Sequence, residues 1–266
     1  MRGLGHFLDS GKDDAAPGLR VRWGGLEGGT DVAIGEGARL GAAIGYEGGN
    51  LSDTLGGRAS EQIFRASLYG SQTFGAVGLS AAFTYAHGWD DTSRASGFGP
   101  SAATRSVNEW TGAVQAAAPL ESSGVSITPA AGVLISGVSG GAFSETNPLS
   151  AAFAVTGTDQ SRTLVSPYAV IGVSHAFTSG DGMVVAPSMQ VGYRYDAAAQ
   201  GGRVTLVAPD GTVFDNIQFE RNRNSALVGA GFTATQGRWT GFVKYRASLS
   251  SNWTDQAVEA GFRLGF

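Results

Sequence analysis

The sequence predicts an all-β fold, a transmembrane antiparallel β-barrel of about 12 strands with short periplasmic turns and longer extracellular loops. Three observations carry this. Apolar residues recur at every second position in one segment after another, the period of a strand with one apolar face. The connections between segments alternate between short and long. Finally, the 266 residues include 42 glycines and only 15% charged side chains. That composition argues against helices, because Gly costs about 1 kcal/mol per helical position relative to Ala.

Taken from the N-terminus, the pattern places strands at Arg2–Leu8, Leu19–Ile34, Ala38–Tyr46, Gln62–Phe74, Gly78–His87, Val107–Ala118, Val125–Val138 and Thr163–Phe177. Leu19–Ile34 is the least regular, and its Gly24, Gly25, Gly28 and Gly29 are expected to mark bulges. Four further strands follow. In "APSMQVGYRYD", Pro187, Met189, Val191, Tyr193 and Tyr195 alternate with Ser188, Gln190, Gly192 and Arg194. In "SALVGAGFTAT", Ala226, Val228, Ala230 and Phe232 alternate with Leu227, Gly229, Gly231 and Thr233. In "RWTGFVKYRASL", Trp239, Gly241, Val243, Tyr245, Ala247 and Leu249 alternate with Arg238, Thr240, Phe242, Lys244, Arg246 and Ser248. The last strand, "QAVEAGFRLGF", puts Val258, Ala260, Phe262, Leu264 and Phe266 on one face.

Short turns fall near Gly35–Gly37, Gly75–Val77, Pro119–Gly124, Thr178–Gly182 and Thr235–Gly237. Long connections rich in Ser, Asp, Gly and Asn fall near Asp9–Gly18, Gly48–Glu61, Asp90–Ser106, Ser139–Arg162 and Ala197–Phe214, with a shorter one at Ser250–Asp255. No linker or shift in composition divides the chain, so residues 1–266 read as one domain.

The polar face of the strands is mostly small residues with isolated charges, which suits a wet or plugged lumen. The apolar face carries Tyr46, Tyr85, Trp89, Trp110, Tyr195 and Trp253 toward the long loops, and Phe74, Phe177 and Phe266 toward the short turns. Aromatic girdles at both rims of a smooth apolar band describe an outer-membrane barrel, and closure leaves no unpaired edge in lipid. The inward charges are expected to be Glu27, Asp31, Arg65, Arg194, Arg238, Lys244, Arg246, Glu259 and Arg263. With Arg238, Lys244, Arg246 and Arg263 on the last two strands, one wall should be basic. These charges could grip a threaded helix or tune ion flow, or pair across strands and keep the lumen hydrated.

Several function classes find no support. There is no Cys, hence no thiolate metal site, and no metal or cofactor is expected. A net charge of −4 gives no support to nucleic-acid binding. No apolar h-region follows Met1, and no run of 18 or more apolar residues predicts a membrane-spanning helix. His87 with Asp90 and Asp91 could activate a water, but a strand end entering a solvated loop explains them better. His6 and His175 read as rim residues. "GEGARLG" (Gly35–Gly41) has the wrong spacing for a dinucleotide loop and reads as a hairpin turn. No catalytic residue is assigned.

The segments "GARLGAAIGYEGG" (Gly37–Gly49), "RASLYGSQTFG" (Arg65–Gly75), the strand starts "ITPAAGV" and "APSMQVGY", and the final "AGFRLGF" resemble, in order and spacing, the translocator domain of classical autotransporters. The resemblance implies a twelve-stranded barrel in the outer membrane of a Gram-negative bacterium, taking part in type V secretion as a monomer. Its implied partners are outer-membrane lipid, the barrel-assembly machinery, and its own passenger and linker helix. Val258, Ala260, Phe262, Leu264 and Phe266 resemble the terminal signature read by that machinery. No signal peptide, passenger or linker helix is found, so the chain is expected to be a domain cut from a longer protein. The family's self-cleaving subset cuts an Asn–Asn bond, and no such pair occurs here. The implied function is to anchor and help export an N-terminal passenger. The alternatives are a stand-alone outer-membrane porin or adhesin barrel and, third, a barrel hydrolase.

Overall fold

The computed structural model describes residues 1–11, 17–96, 99–197, 203–217 and 221–265. Its long strands are β1 (Arg2–Ser10), β2 (Leu19–Gly35), β3 (Ala38–Asp53), β4 (Arg58–Phe74), β5 (Val77–Ser96), β6 (Gly99–Ala117), β7 (Val125–Gly140), β8 (Gln160–His175), β9 (Val184–Tyr195), β10 (Asn224–Gln236), β11 (Trp239–Leu249) and β12 (Trp253–Leu264). Each pairs antiparallel with its neighbours in the chain. β12 also pairs with β1, from Arg2↔Gly261 to Ser10↔Trp253, and so closes a twelve-stranded barrel. The short turns match the right-handed twist of their strands by a positive backbone φ, as at Gly37 (72°) and Gly237 (58°).

The two faces of the barrel are distinct. Large apolar side chains stand exposed on the outside, among them Ile44, Leu68, Met189 and Val191, each more than 60% exposed. The opposite face is concave, because side chains meet across it that are not on adjacent strands. Arg65 on β4 reaches Glu109 on β6 at 3.4 Å, Tyr69 on β4 donates to the Thr30 carbonyl on β2 at 3.3 Å, and Tyr168 on β8 donates to Gln115 on β6 at 2.9 Å. Strands two apart lie about 10 Å from one another, so such contacts require the sheet to curl toward them. An apolar outer band around a polar interior is the arrangement lipid demands.

The structure changes several details of the sequence reading. Gly48–Glu61 and Asp90–Ser106 are mostly strand rather than loop. β3–β4 and β5–β6 run past the apolar band as long hairpins, with both faces polar and therefore no alternation to read. The β3–β4 hairpin is closed by the Asp53 carboxylate, which accepts from the Leu55 and Gly57 amides at 2.8 and 2.7 Å. The glycines of β2 mark no bulge. Its register with β3 is continuous from Leu19 to Ala33 and shifts only before Gly35. Gly25 and Gly29 instead permit close approach, since a Cβ at either would lie within 2.5 Å of β3 backbone oxygen. Trp253 is 2% exposed and faces inward, so it is not part of the outer girdle.

The long β7–β8 and β9–β10 connections form a small sheet of their own, in the order Val213–Ile217, Arg203–Val207, Thr156–Gly157, Phe143–Ser144. Val155, Leu206 and Ala103 are buried around it. Arg94 of the β5–β6 hairpin joins it through two hydrogen bonds to Glu145, one of them at 3.1 Å. The loops at this end are thus tied together as one polar superstructure.

Candidate functional site: the barrel lumen

The register places the inward side chains of β2 and β3 at odd numbers, which brings Trp23, Gly25, Glu27 and Asp31 opposite Gly49, Glu47, Gly45 and Gly41. Many lumen glycines serve as seats for rings on a neighbouring strand. A Cβ on Gly49 would fall 1.7 Å from Trp23 Cδ1, one on Gly41 would fall 2.4 Å from the Tyr69 ring, and one on Gly132 2.7 Å from the Tyr168 hydroxyl. Trp23, so seated, stacks on His6 with ring centroids 5.2 Å apart. His6 pairs with Asp255 at 2.5 Å, so it stands inside the lumen and not at the rim. Gly49→Ala should therefore cost about 1–3 kcal/mol, because an overpacked site must shift. Gly28→Ala, with open space around the added methyl, should cost little. Urea unfolding of both variants in detergent checks the contrast.

Charged side chains lace the lumen. Arg2 holds Glu27 at 2.9 Å and Glu259 at 3.3 Å, and Glu259 is also bound by Arg246. Near the short turns, β2 and β12 run past the start of β1. There Arg263 bridges to Asp31 at 2.7 Å, and Arg39 binds the same carboxylate at 2.6 Å. Higher on the other side, Arg65 joins Glu47 and Glu109, and Arg105 holds Asp90 at 3.0 Å. Arg238 lies in the exposed β10–β11 turn and donates to the Gly265 carbonyl at 2.6 Å, which puts it at the rim. Lys244 has no carboxylate partner among the described residues and lies 5.3 Å from the Phe242 ring.

At the extracellular mouth a second cluster forms that the sequence did not reveal. Asp196, just beyond β9, is fully buried (0% exposed) and accepts from the Ser166 hydroxyl at 2.7 Å, with Arg194 Nε 3.3 Å away. The Arg221 guanidinium lies 3.9 Å from the centre of the Trp253 ring, and that of Arg194 5.4 Å from it. Burial, together with the neighbouring Arg194, pushes the Arg221 guanidinium below its ordinary value.

Among the described residues, the His87 cluster is divided between the two faces of the wall. His87 pairs with Asn108 at 2.8 Å on the outer face, beside Tyr85 and Trp89, while Asp90 points inward to Arg105. Asp90 thus lies across the wall from His87, and Asp91, on the His87 face, accepts from the Thr104 hydroxyl at 2.6 Å. Among the described residues, no group of three His, Cys, Asp or Glu side chains could hold a metal ion. Of the terminal strand, Val258, Ala260 and Phe262 are exposed on the outer face and Leu264 is partly so. Phe266 lies outside the described residues.

The family model of the autotransporter β-domain matches residues 1–246. The chain belongs to this family. The autotransporter β-domain is an outer-membrane translocator barrel, and membership places the chain in the outer membrane of a Gram-negative bacterium. Solved structures agree on the fold. The translocator domain of autotransporter NalP from Neisseria meningitidis superposes with a TM-score of 0.78 at 14% identity, covering 100% of this chain and 87% of that one. The β-domain of the Bordetella autotransporter BrkA gives 0.64 at 13% identity, covering 100% and 98%. The transport unit of AIDA-I from Escherichia coli gives 0.59 at 12% identity, covering 100% and 89%. A comparison with functionally characterised proteins finds no match.

Proposed function

We propose that this autotransporter barrel anchors an N-terminal passenger in the outer membrane and helps it across, holding in its lumen the segment that joins the two. The observation that supports this most directly is the lining of one half of the lumen. On β8 to β10, Gly172, Ser174, Ser188, Gln190, Gly229 and Gly231 bound a recess of about 240 Å³ beside Lys244. Side chains alone fill a barrel of about eight strands, whereas this ring has twelve. A helix is about 10 Å across with its side chains, a size such a lumen can take. No chemistry is catalysed in this reading. Lipid contacts the apolar band, and the barrel-assembly machinery reads Val258, Ala260, Phe262, Leu264 and Phe266.

The test is electrical. Residues 1–266 reconstituted in planar bilayers should form an open, ion-conducting pore. The same barrel carrying its native N-terminally adjoining segment should lose most of that conductance. Equal conductance with and without the segment would count against a threaded helix and favour a stand-alone porin or adhesin barrel.

A further inference from the structure

The ion pairs of the lumen mask an uneven division of charge around the ring. β2 to β6 present the inward carboxylates Glu27, Asp31, Glu47, Asp90 and Glu109 against three guanidiniums, Arg39, Arg65 and Arg105. The strands from β8 through β12 to β1 present the inward cations Arg162, Arg194, Lys244, Arg246, Arg263 and Arg2. Against these stand three carboxylates, Asp196, Asp255 and Glu259. Carboxylates outnumber cations five to three on the first arc, and cations outnumber carboxylates six to three on the second. Where the arcs meet at β1 they are joined by Arg2–Glu27 and Arg263–Asp31. Away from that seam they face each other. In a ring of twelve strands β4 stands opposite β10, and β5 opposite β11. Asp90 on β5 and Glu109 on β6 therefore look across the lumen toward Lys244 and Arg246 on β11.

Fixed charges of opposite sign on opposite walls set up a field across the pore, and low-dielectric walls concentrate it in the space between. A solute with no charge pattern feels little net effect. A rod with acid along one side and base along the other is held in one rotation, because turning it half-way round sets like charges face to face. We propose that the segment this lumen holds is a helix with acidic side chains on one face and basic side chains on the opposite face. Its acidic face turns toward β9–β11 and its basic face toward β4–β6. The inference rests on the reading that a segment threads the barrel, and it adds the charge pattern of that segment and its orientation.

The experiment uses the barrel of residues 1–266 in planar bilayers and two synthetic Ala-rich helical peptides of identical composition. Each is about 20 residues, roughly 30 Å long as a helix. One carries its Glu and Lys residues on opposite faces, and the other carries them intermixed on both. The segregated peptide should block conductance at a concentration about tenfold lower, the gain expected from a few partly screened ion pairs. Lys244→Glu, once shown to fold by its heat-modifiable migration, should reduce that preference severalfold. Lys244→Gln should give a smaller loss, and it serves if the Glu variant does not fold. Equal block by the two peptides, or an unchanged preference in the Lys244 variants, would overturn the polarised lumen while leaving a threaded helix in place. If neither peptide blocks, the threaded-helix reading falls and takes this inference with it.

Discussion

Val243→Arg and Val191→Arg should each lower the stability of the barrel in lipid by about 2–4 kcal/mol, the cost of an arginine near the bilayer midplane. Both valines stand on the outer face, 52% and 61% exposed, where the guanidinium would have to be desolvated or would have to thin the bilayer to reach water. Thr240→Arg and Gln190→Arg should cost much less. Thr240 meets Thr235 across the β10–β11 pair at 3.1 Å, and Gln190 lines the recess beside Lys244, so an arginine at either site keeps water in reach. Val191 and Gln190 are neighbours on β9 at the same depth, so that pair isolates the face, whereas Thr240 also lies nearer the rim than Val243. Urea titration in phospholipid vesicles reads it, and equal penalties for the two sets would exchange inside and outside.

Asp196→Ala should be the most damaging single change at the mouth, at about 3–5 kcal/mol. Its carboxylate is fully buried between the Ser166 hydroxyl and the Arg194 guanidinium, whose side chain is only 14% exposed. Removing it strands a largely buried cation and a buried hydroxyl together. The contrast is Asp9→Ala. Asp9 pairs with Arg20 at 3.1 Å, but the two side chains are 53% and 64% exposed, so screening and side-chain entropy leave the pair at about 1 kcal/mol or less. Unfolding of both variants in the same detergent gives the comparison. A loss at Asp196 no larger than that at Asp9 would mean that the mouth cluster does not hold the loops in place.

Strand order, the antiparallel ring and the outer face were legible in the chain because each depends on local information. A period of two assigns Ile44, Val191 and Val243 to one side of the wall without knowledge of any partner, and short turns tell successive strands to pair. The hairpin extensions of β3–β6 were not legible, since strands wet on both faces lose the alternation that marks them. Nor was the placement of Trp253. By sequence it lies in the Ser250–Asp255 connection, and only the extension of β12 to its pairing with Ser10 turns it inward beneath Arg221. His6 on Trp23, Trp23 over Gly49, and Arg263 bound to Asp31 across 232 positions of sequence follow from the register in which distant strands lock when the ring closes. Composition and periodicity thus determined by themselves that this chain is a membrane barrel with a polar lumen. Only closure decided which charges meet and which face each other across the pore, because register is a relation between strands and no single strand contains it.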